Sequence, residues 1–245
     1  MEITREQHEM MDSRGFCVLE DVFTRADMHA LARAIETYQT RHQEEIARQG
    51  GASGISRASE IIFTSHLAEQ DADIMRFCRR PEFVAIATSL LGDDVDLYWN
   101  QSVYKMPEGA KEFPWHQDDG YTPVSPSPYL TLWLAINDAT LDNGCISALP
   151  GSHHRGLLPH EQTPLGLACH PPDDPDQGVR VPVRAGSIAV FWSLTAHKSG
   201  ANVSNGVRKA YIIQYAKAGL KSLTTGLIID GITPIARGGQ AVTAA

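Results

Sequence analysis

The chain has 245 residues, of which 42% are hydrophobic and 20% charged, and carries a formal net charge of −8. It can bury a sizeable core as one large domain or two small ones, and it is too apolar to be a disordered chain. The acidic balance, with no Lys/Arg cluster in the sequence, excludes a nucleic-acid surface and a polybasic membrane anchor.

The four cysteines, Cys17, Cys78, Cys145 and Cys169, are widely spaced and form no C-x-x-C pair. That disfavours a zinc ribbon or a disulfide framework and points to reduced thiols in a cytoplasm. The N-terminus is polar, without the apolar segment of a secretory signal, and runs such as residues 130–136 are too short to span a bilayer. The expectation is a soluble cytoplasmic protein, monomer or homodimer, that acts on a small molecule and binds no nucleic acid or membrane.

In chain order, residues 3–13 suit a helix, and Gly15 to Glu20 reads as a short buried strand. Thr24 is a candidate N-cap with Asp27 three residues later; Met28, Leu31, Ile35 and Tyr38 follow at helical spacing towards Arg48. The glycines at 50, 51 and 54 break the helix, and residues 49–66 read as a loop that could cover a ligand site. Asp71 to Arg79 and Pro81 to Leu91 are two further helices, the second stopped by Gly92. Beyond Gly92 no helical period appears. Strand patterns follow over residues 94–104, with Val95, Leu97, Trp99, Gln101 and Val103 on one face, and over 113–117, 129–137, 145–149, 179–183, 187–192 and 207–217. Turns are expected at Pro107-Glu108-Gly109 and Asp142-Asn143-Gly144, an irregular excursion that could act as a lid at 152–178, and a tail from 218 to 245. The pattern predicts a mainly β fold with N-terminal helices: a double-stranded β-helix (jelly-roll, cupin-like) barrel with helices packed on one sheet. We read 1–245 as one domain, with a helical support region at 1–92, a jelly-roll core at 93–217 and a C-terminal tail.

His116-x-Asp118 stands on one of these strands. Two residues apart, both side chains project to the same face, and an imidazole with a carboxylate suits a divalent transition metal. Taken alone, the pair fits a polar surface turn equally well. Among the ten histidines, His153, His154, His160 and His170 fall in the excursion. His197 follows an apolar strand, at a strand end where a ligand could point into a barrel mouth. Arg208, eleven positions on, opens the last long strand. It can face water at the rim, or reach inward and pair bidentately with a carboxylate.

These residues together resemble the phytanoyl-CoA dioxygenase family of non-haem iron(II), 2-oxoglutarate-dependent oxygenases. His116-x-Asp118, His197 and Arg208 match its site pattern. Leu132-Trp133-Leu134-Ala135, Asp142-Asn143-Gly144-Cys145, Leu149-Pro150-Gly151-Ser152-His153, His197-Lys198-Ser199-Gly200 and Asn205-Gly206-Val207-Arg208 look like its other segments. The likeness extends over roughly Gly15 to Lys217. It implies that His116, Asp118 and His197 hold Fe(II). It implies that Arg208 pairs with the distal carboxylate of 2-oxoglutarate, with Ser199 and Trp133 lining the same pocket. Gln101 matches more loosely and serves equally as a packing or cross-strand residue. The implied activity is O2-dependent hydroxylation of a small metabolite or natural-product intermediate, with release of succinate and CO2. Desaturation, epoxidation, ring formation or a non-catalytic cupin-like metal-binding module are the alternatives. Halogenating relatives carry a small residue in place of the carboxylate, so Asp118 disfavours halogenation. By proximity in sequence, Arg57, Phe113, Tyr121 and Trp192 are candidate substrate residues.

Overall fold

The computed structural model describes residues 2–107, 111–171 and 178–242. The turn expected at Pro107-Glu108-Gly109 lies, past Pro107, outside them. Two antiparallel sheets face each other. The large one runs in the order Phe16–Leu19, Ile188–Trp192, Leu130–Ala135, Arg208–Lys217, Val95–Lys105, Ile61–Ser65, extended by two short pairs at 56–57 and 52–53. The small one runs Val179–Val181, Ile146–Ala148, His197–Ser199, Phe113–His116. This is the expected jelly-roll barrel with its helices on the outer face of one sheet.

Strand alternation divides the large sheet between two cores. Leu130, Leu132, Leu134, Ile188, Val190, Tyr211 and Ile213 face outward, against Met28, Leu31 and Ile35 of the Arg25–Arg48 helix and Phe83, Ile86 and Ala87 of the Pro81–Leu91 helix. Trp133, Ala135, Ala189, Phe191 and Ala210 face inward and meet Ile146, Ala148 and Val181 of the small sheet. A strand buried on both faces cannot alternate in polarity, which is why residues 130–135 read as a continuous apolar run. Each fully buried Leu or Ile contributes roughly 1.5–3 kcal/mol, so the outer core fastens the helices to the barrel.

The helix starts follow their local chemistry. Thr24 and Asp27 form a reciprocal capping box, and Asp71 caps the Ala72–Cys78 helix. On the long helix the buried stripe is Met28, Leu31, Ile35, Gln39 and Ile46. Tyr38 is turned off it, towards the barrel opening. Gln39 replaces it because its Oε1 accepts from the Thr64 and Ser102 hydroxyls, each at 2.8 Å.

Four expectations are corrected. Residues 49–66 are not simply a loop: Ile61–Ser65 is a strand paired with Gln101–Lys105. The excursion 152–178 contains a hairpin, His160–Thr163 with Gly166–Cys169. The chain after 217 is not a free tail, since Thr233–Arg237 pairs with Val95–Leu97 and buries Ile235 and Ala236 in the helix-side core. Finally, the strand over 95–105 does not alternate strictly. Its partner register jumps from Gln214↔Trp99 to Tyr215↔Leu97, so Tyr98 is bulged. Val95 and Leu97 therefore face the helices, while Trp99, Gln101 and Val103 face the barrel interior.

Gly144, in the expected Asn-Gly turn, has φ +85°, and a Cβ there would lie 2.3 Å from the Gly200 carbonyl oxygen. Gly144→Ala is expected to lower the melting temperature by roughly 5 °C or more. A scanning-calorimetry midpoint equal to wild type would refute that close approach.

Candidate active site

A cavity of about 760 Å3 opens between the sheets and reaches the barrel mouth. His116 ends the Phe113–His116 strand, Asp118 begins a 3-10 turn directly after it, and His197 begins the strand paired beside it, with His197 opposite His116. Asp118 Oδ1 is 3.7 Å from Nε2 of His116 and 3.7 Å from Nε2 of His197. Among the described residues these three form the one His/Cys/Asp/Glu group whose ligand atoms converge, within 4.8 Å of one another.

Each ring is held by its other nitrogen. His116 Nδ1 donates to the Pro114 carbonyl at 2.9 Å and His197 Nδ1 donates to the Thr195 carbonyl at 3.0 Å. That fixes the tautomers and leaves both Nε2 lone pairs facing Asp118. Burial first, and the neighbouring His197 second, push the His116 imidazolium well below the ordinary histidine range, so the ring is neutral and able to ligate. Two imidazoles and one carboxylate on one side, with the cavity on the other, form the donor set of a non-haem iron site.

Arg208 is 1% exposed. Its guanidinium carbon lies 5.1 Å from the Trp133 ring centroid, yet none of its Nε, Nη1 and Nη2 atoms has a hydrogen-bond partner. Burial lowers its pKa only to about 10, so it remains a cation at neutral pH. An unpaired buried cation costs several kcal/mol unless a ligand completes it. A carboxylate entering the cavity from the metal side supplies the missing acceptors, and in this respect the residues present fit a 2-oxo dicarboxylate.

Ser199, Trp133 and Gln101 line the same cavity. The Ser199 hydroxyl accepts from Lys105 Nζ at 3.0 Å, and Gln101 Oε1 accepts from Ser65 at 3.2 Å. Phe113 and Tyr121 stand beside the candidate metal ligands, with ring centroids 4.9 and 5.9 Å from that of His116. Arg57 and Trp192 are corrections. Arg57 does not line the cavity; its guanidinium donates to the Gly54, Ser56 and Pro164 carbonyls, tying two hairpins together. Trp192 faces outward, and its indole N–H donates to the Met11 carbonyl. The neighbouring Phe191 has the inward parity and packs against His197, ring centroids 4.4 Å apart and planes tilted by 50°.

Two other residues at the site were missed by sequence reasoning. Lys105, opposite Arg208 in the sheet, is wholly buried; its Nζ donates to Ser199 Oγ and to the Gly200, Lys111 and Ser199 carbonyls. Burial and then Arg208 pull its pKa down to about 6. Gln117, between the two metal-facing residues, turns the other way: its amide donates to the Gly156 and Leu194 carbonyls and accepts from Leu158 N–H. Its backbone N–H donates to His160 Nε2 at 3.1 Å, so the excursion braces the turn that carries Asp118. For Gln117 the available hint was its place between His116 and Asp118, where strand alternation turns it to the opposite face.

The family model for phytanoyl-CoA dioxygenase matches residues 11–210. The chain belongs to the phytanoyl-CoA dioxygenase family. It is accordingly an enzyme of the non-haem iron and 2-oxoglutarate-dependent dioxygenase class. Within the family, it is 24% identical to the peroxisomal phytanoyl-CoA dioxygenase of Bos taurus over 233 residues, covering 88% of this chain and 69% of that one. Among solved structures, the non-heme alpha ketoglutarate dependent carbocyclase SnoK from nogalamycin biosynthesis superposes with a TM-score of 0.76 at 24% identity, covering 94% and 96% of the two chains. The epimerase SnoN, solved with Fe3+, alpha ketoglutarate and nogalamycin RO, gives 0.68 at 20% identity, covering 98% and 95%. These likenesses concern the fold. No helix among the described residues is long and apolar enough to cross a membrane.

Proposed function

We propose that His116, Asp118 and His197 hold Fe(II), that Arg208 binds the distal carboxylate of 2-oxoglutarate, and that the enzyme uses O2 to hydroxylate a small metabolite or natural-product intermediate. The observation that carries this reading is Arg208: a buried guanidinium, without a partner, opening into the cavity that holds the His–Asp–His group. A metal-binding module without turnover has no use for such a carboxylate clamp.

Bound iron and the 2-oxo acid would supply the oxidising power, with succinate and CO2 released from the cosubstrate. The chain contributes geometry. The Pro114 and Thr195 carbonyls hold the two imidazoles in one tautomer. Arg208, with Trp133 against its guanidinium and Ser199 and Gln101 beside it, would hold the distal carboxylate and so orient the cosubstrate. Phe191, Ile146 and Ile212 wall the interior and exclude water.

Phe113 and Tyr121 lie on the substrate side of this arrangement. A cavity of about 760 Å3 is large enough for cosubstrate and substrate together. Among the described residues its Lys and Arg lining outside the Arg208 pocket is confined to Arg41 and Lys198, and Lys198 is paired with Glu112 at 3.0 Å. That gives little to hold a coenzyme A pyrophosphate, and supports a smaller substrate. The same residues would serve desaturation, epoxidation or ring formation, which product analysis separates. The free buried thiols support a cytoplasmic enzyme, and the acidic net charge supports one without a nucleic-acid partner.

Anaerobic titration of the metal-free protein with Fe(II) and 2-oxoglutarate is expected to develop a visible charge-transfer band, absent in His116→Ala, and admission of oxygen is expected to yield succinate. A wild-type protein that shows neither band nor succinate would sink the proposal.

A further inference from the structure

We propose that Thr131 and Gln214 are positioning residues that hold one oxygen of Asp118 away from the metal, so that the carboxylate ligates through the other oxygen alone. The inference rests on the metal reading above. The two oxygens of Asp118 have different surroundings. Oδ1 faces both imidazoles, 3.7 Å from each Nε2. Oδ2 accepts from Thr131 Oγ1 at 2.6 Å and from Gln214 Nε2 at 3.0 Å.

The hydrogens can be assigned. An ionised carboxylate only accepts, so the single Thr131 hydroxyl proton points at Oδ2. Thr131 Oγ1 in turn accepts from Gln214 Nε2 at 3.2 Å. Oδ2 and Thr131 Oγ1 are only 2.6 Å apart, so one N–H of the Gln214 amide is shared between them, and the three groups close a ring of hydrogen bonds. Thr131 and Gln214 are 1% and 7% exposed, so water does not compete for these bonds.

The placement comes from the sheet. Thr131 and Gln214 are register partners on its two central strands, both on the barrel-facing side. Asp118, by contrast, sits in a 3-10 turn, whose own backbone restrains it weakly. The ring therefore ties the least constrained of the three ligands to the most rigid part of the barrel. A carboxylate freed from it could swing both oxygens onto the metal and occupy a position that cosubstrate or oxygen requires. Metal-ligating carboxylates are generally held by such outer partners, whose loss costs metal affinity.

The test uses Co(II) as a probe, titrated into metal-free full-length protein and followed by its visible d–d bands, with and without 2-oxoglutarate. Thr131→Val keeps the shape and removes the donor; it is expected to weaken Co(II) binding by about 10–100-fold and to alter the band shape. Gln214→Met is expected to act in the same direction. Thr131→Ser, which retains the hydroxyl, is expected to restore wild-type affinity and spectrum, a rescue that a packing role for the threonine methyl would not give. Thr131→Val and Gln214→Met proteins with wild-type affinity and spectrum would overturn the inference while leaving the metal site standing. A wild type that binds no Co(II) would overturn both.

Discussion

Arg208→Met is expected to weaken 2-oxoglutarate binding by at least ~100-fold and, at the same time, to stabilise the ligand-free protein. Two charge-assisted hydrogen bonds from one guanidinium contribute roughly 3–6 kcal/mol together, which corresponds to ~100-fold or more in affinity. Without the cosubstrate, however, Arg208 is a buried cation whose three nitrogens have no partner and which stands opposite Lys105 in the sheet. Replacing an uncompensated buried charge by an apolar side chain of similar length stabilises by about 1–4 kcal/mol. The two effects have one cause: the pocket is completed by its ligand. Calorimetric binding and thermal melts of both proteins, with and without 2-oxoglutarate, check it. The cosubstrate should raise the melting temperature of wild type and leave that of the variant unmoved. A variant that melts below wild type and still binds 2-oxoglutarate normally would place the carboxylate elsewhere.

Lys105 leads to a pH-dependent expectation. Burial holds its folded-state pKa near 6, against about 10.4 in an unfolded chain. Between those values the unfolded state binds the proton and the folded state does not, so stability rises with pH across the window and the cost is greatest below pH 6. The slope is up to ~1.4 kcal/mol per pH unit. In denaturant titrations of metal-free protein between pH 6.5 and 8.5, Lys105→Met should remove this slope, and the difference from wild type isolates it from other groups. The four oxygens accepting from Nζ pull in the opposite direction, towards the ammonium. Equal slopes in the two proteins would show that those oxygens dominate and that Lys105 stays charged beside Arg208.

Much of the scaffold was readable from local pattern. Thr24 with Asp27 announces a helix start because a capping box closes within four residues. The run over 130–135 announces a strand because its residues are β-formers, whatever lies opposite. His116 and Asp118 share a face because Gln117 between them keeps the extended backbone of the strand, although Asp118 itself opens a 3-10 turn. Parity was harder. Trp192 was expected near the site and Phe191 occupies it, since which face of the strand points inward depends on the register Phe191↔Thr131 with a strand sixty residues away. The face assignment over 95–105 failed at Tyr98 for the same reason: a bulge is a mismatch between two strands, and one strand alone does not record it.

For this protein, the amino-acid sequence by itself determined the types of the main helices and strands, and it offered a candidate ligand set through the order of His116, Asp118, His197 and Arg208 that resembles one oxygenase family. The first rests on residue chemistry and short-range spacing, the second on the resemblance. The tertiary structure alone decided that Arg208 is buried without a partner, that Lys105 lies opposite it, and that Thr131 and Gln214 close on Asp118. Those facts depend on contacts between segments far apart in the chain, where burial removes water and gives each unpaired donor or acceptor its energetic weight.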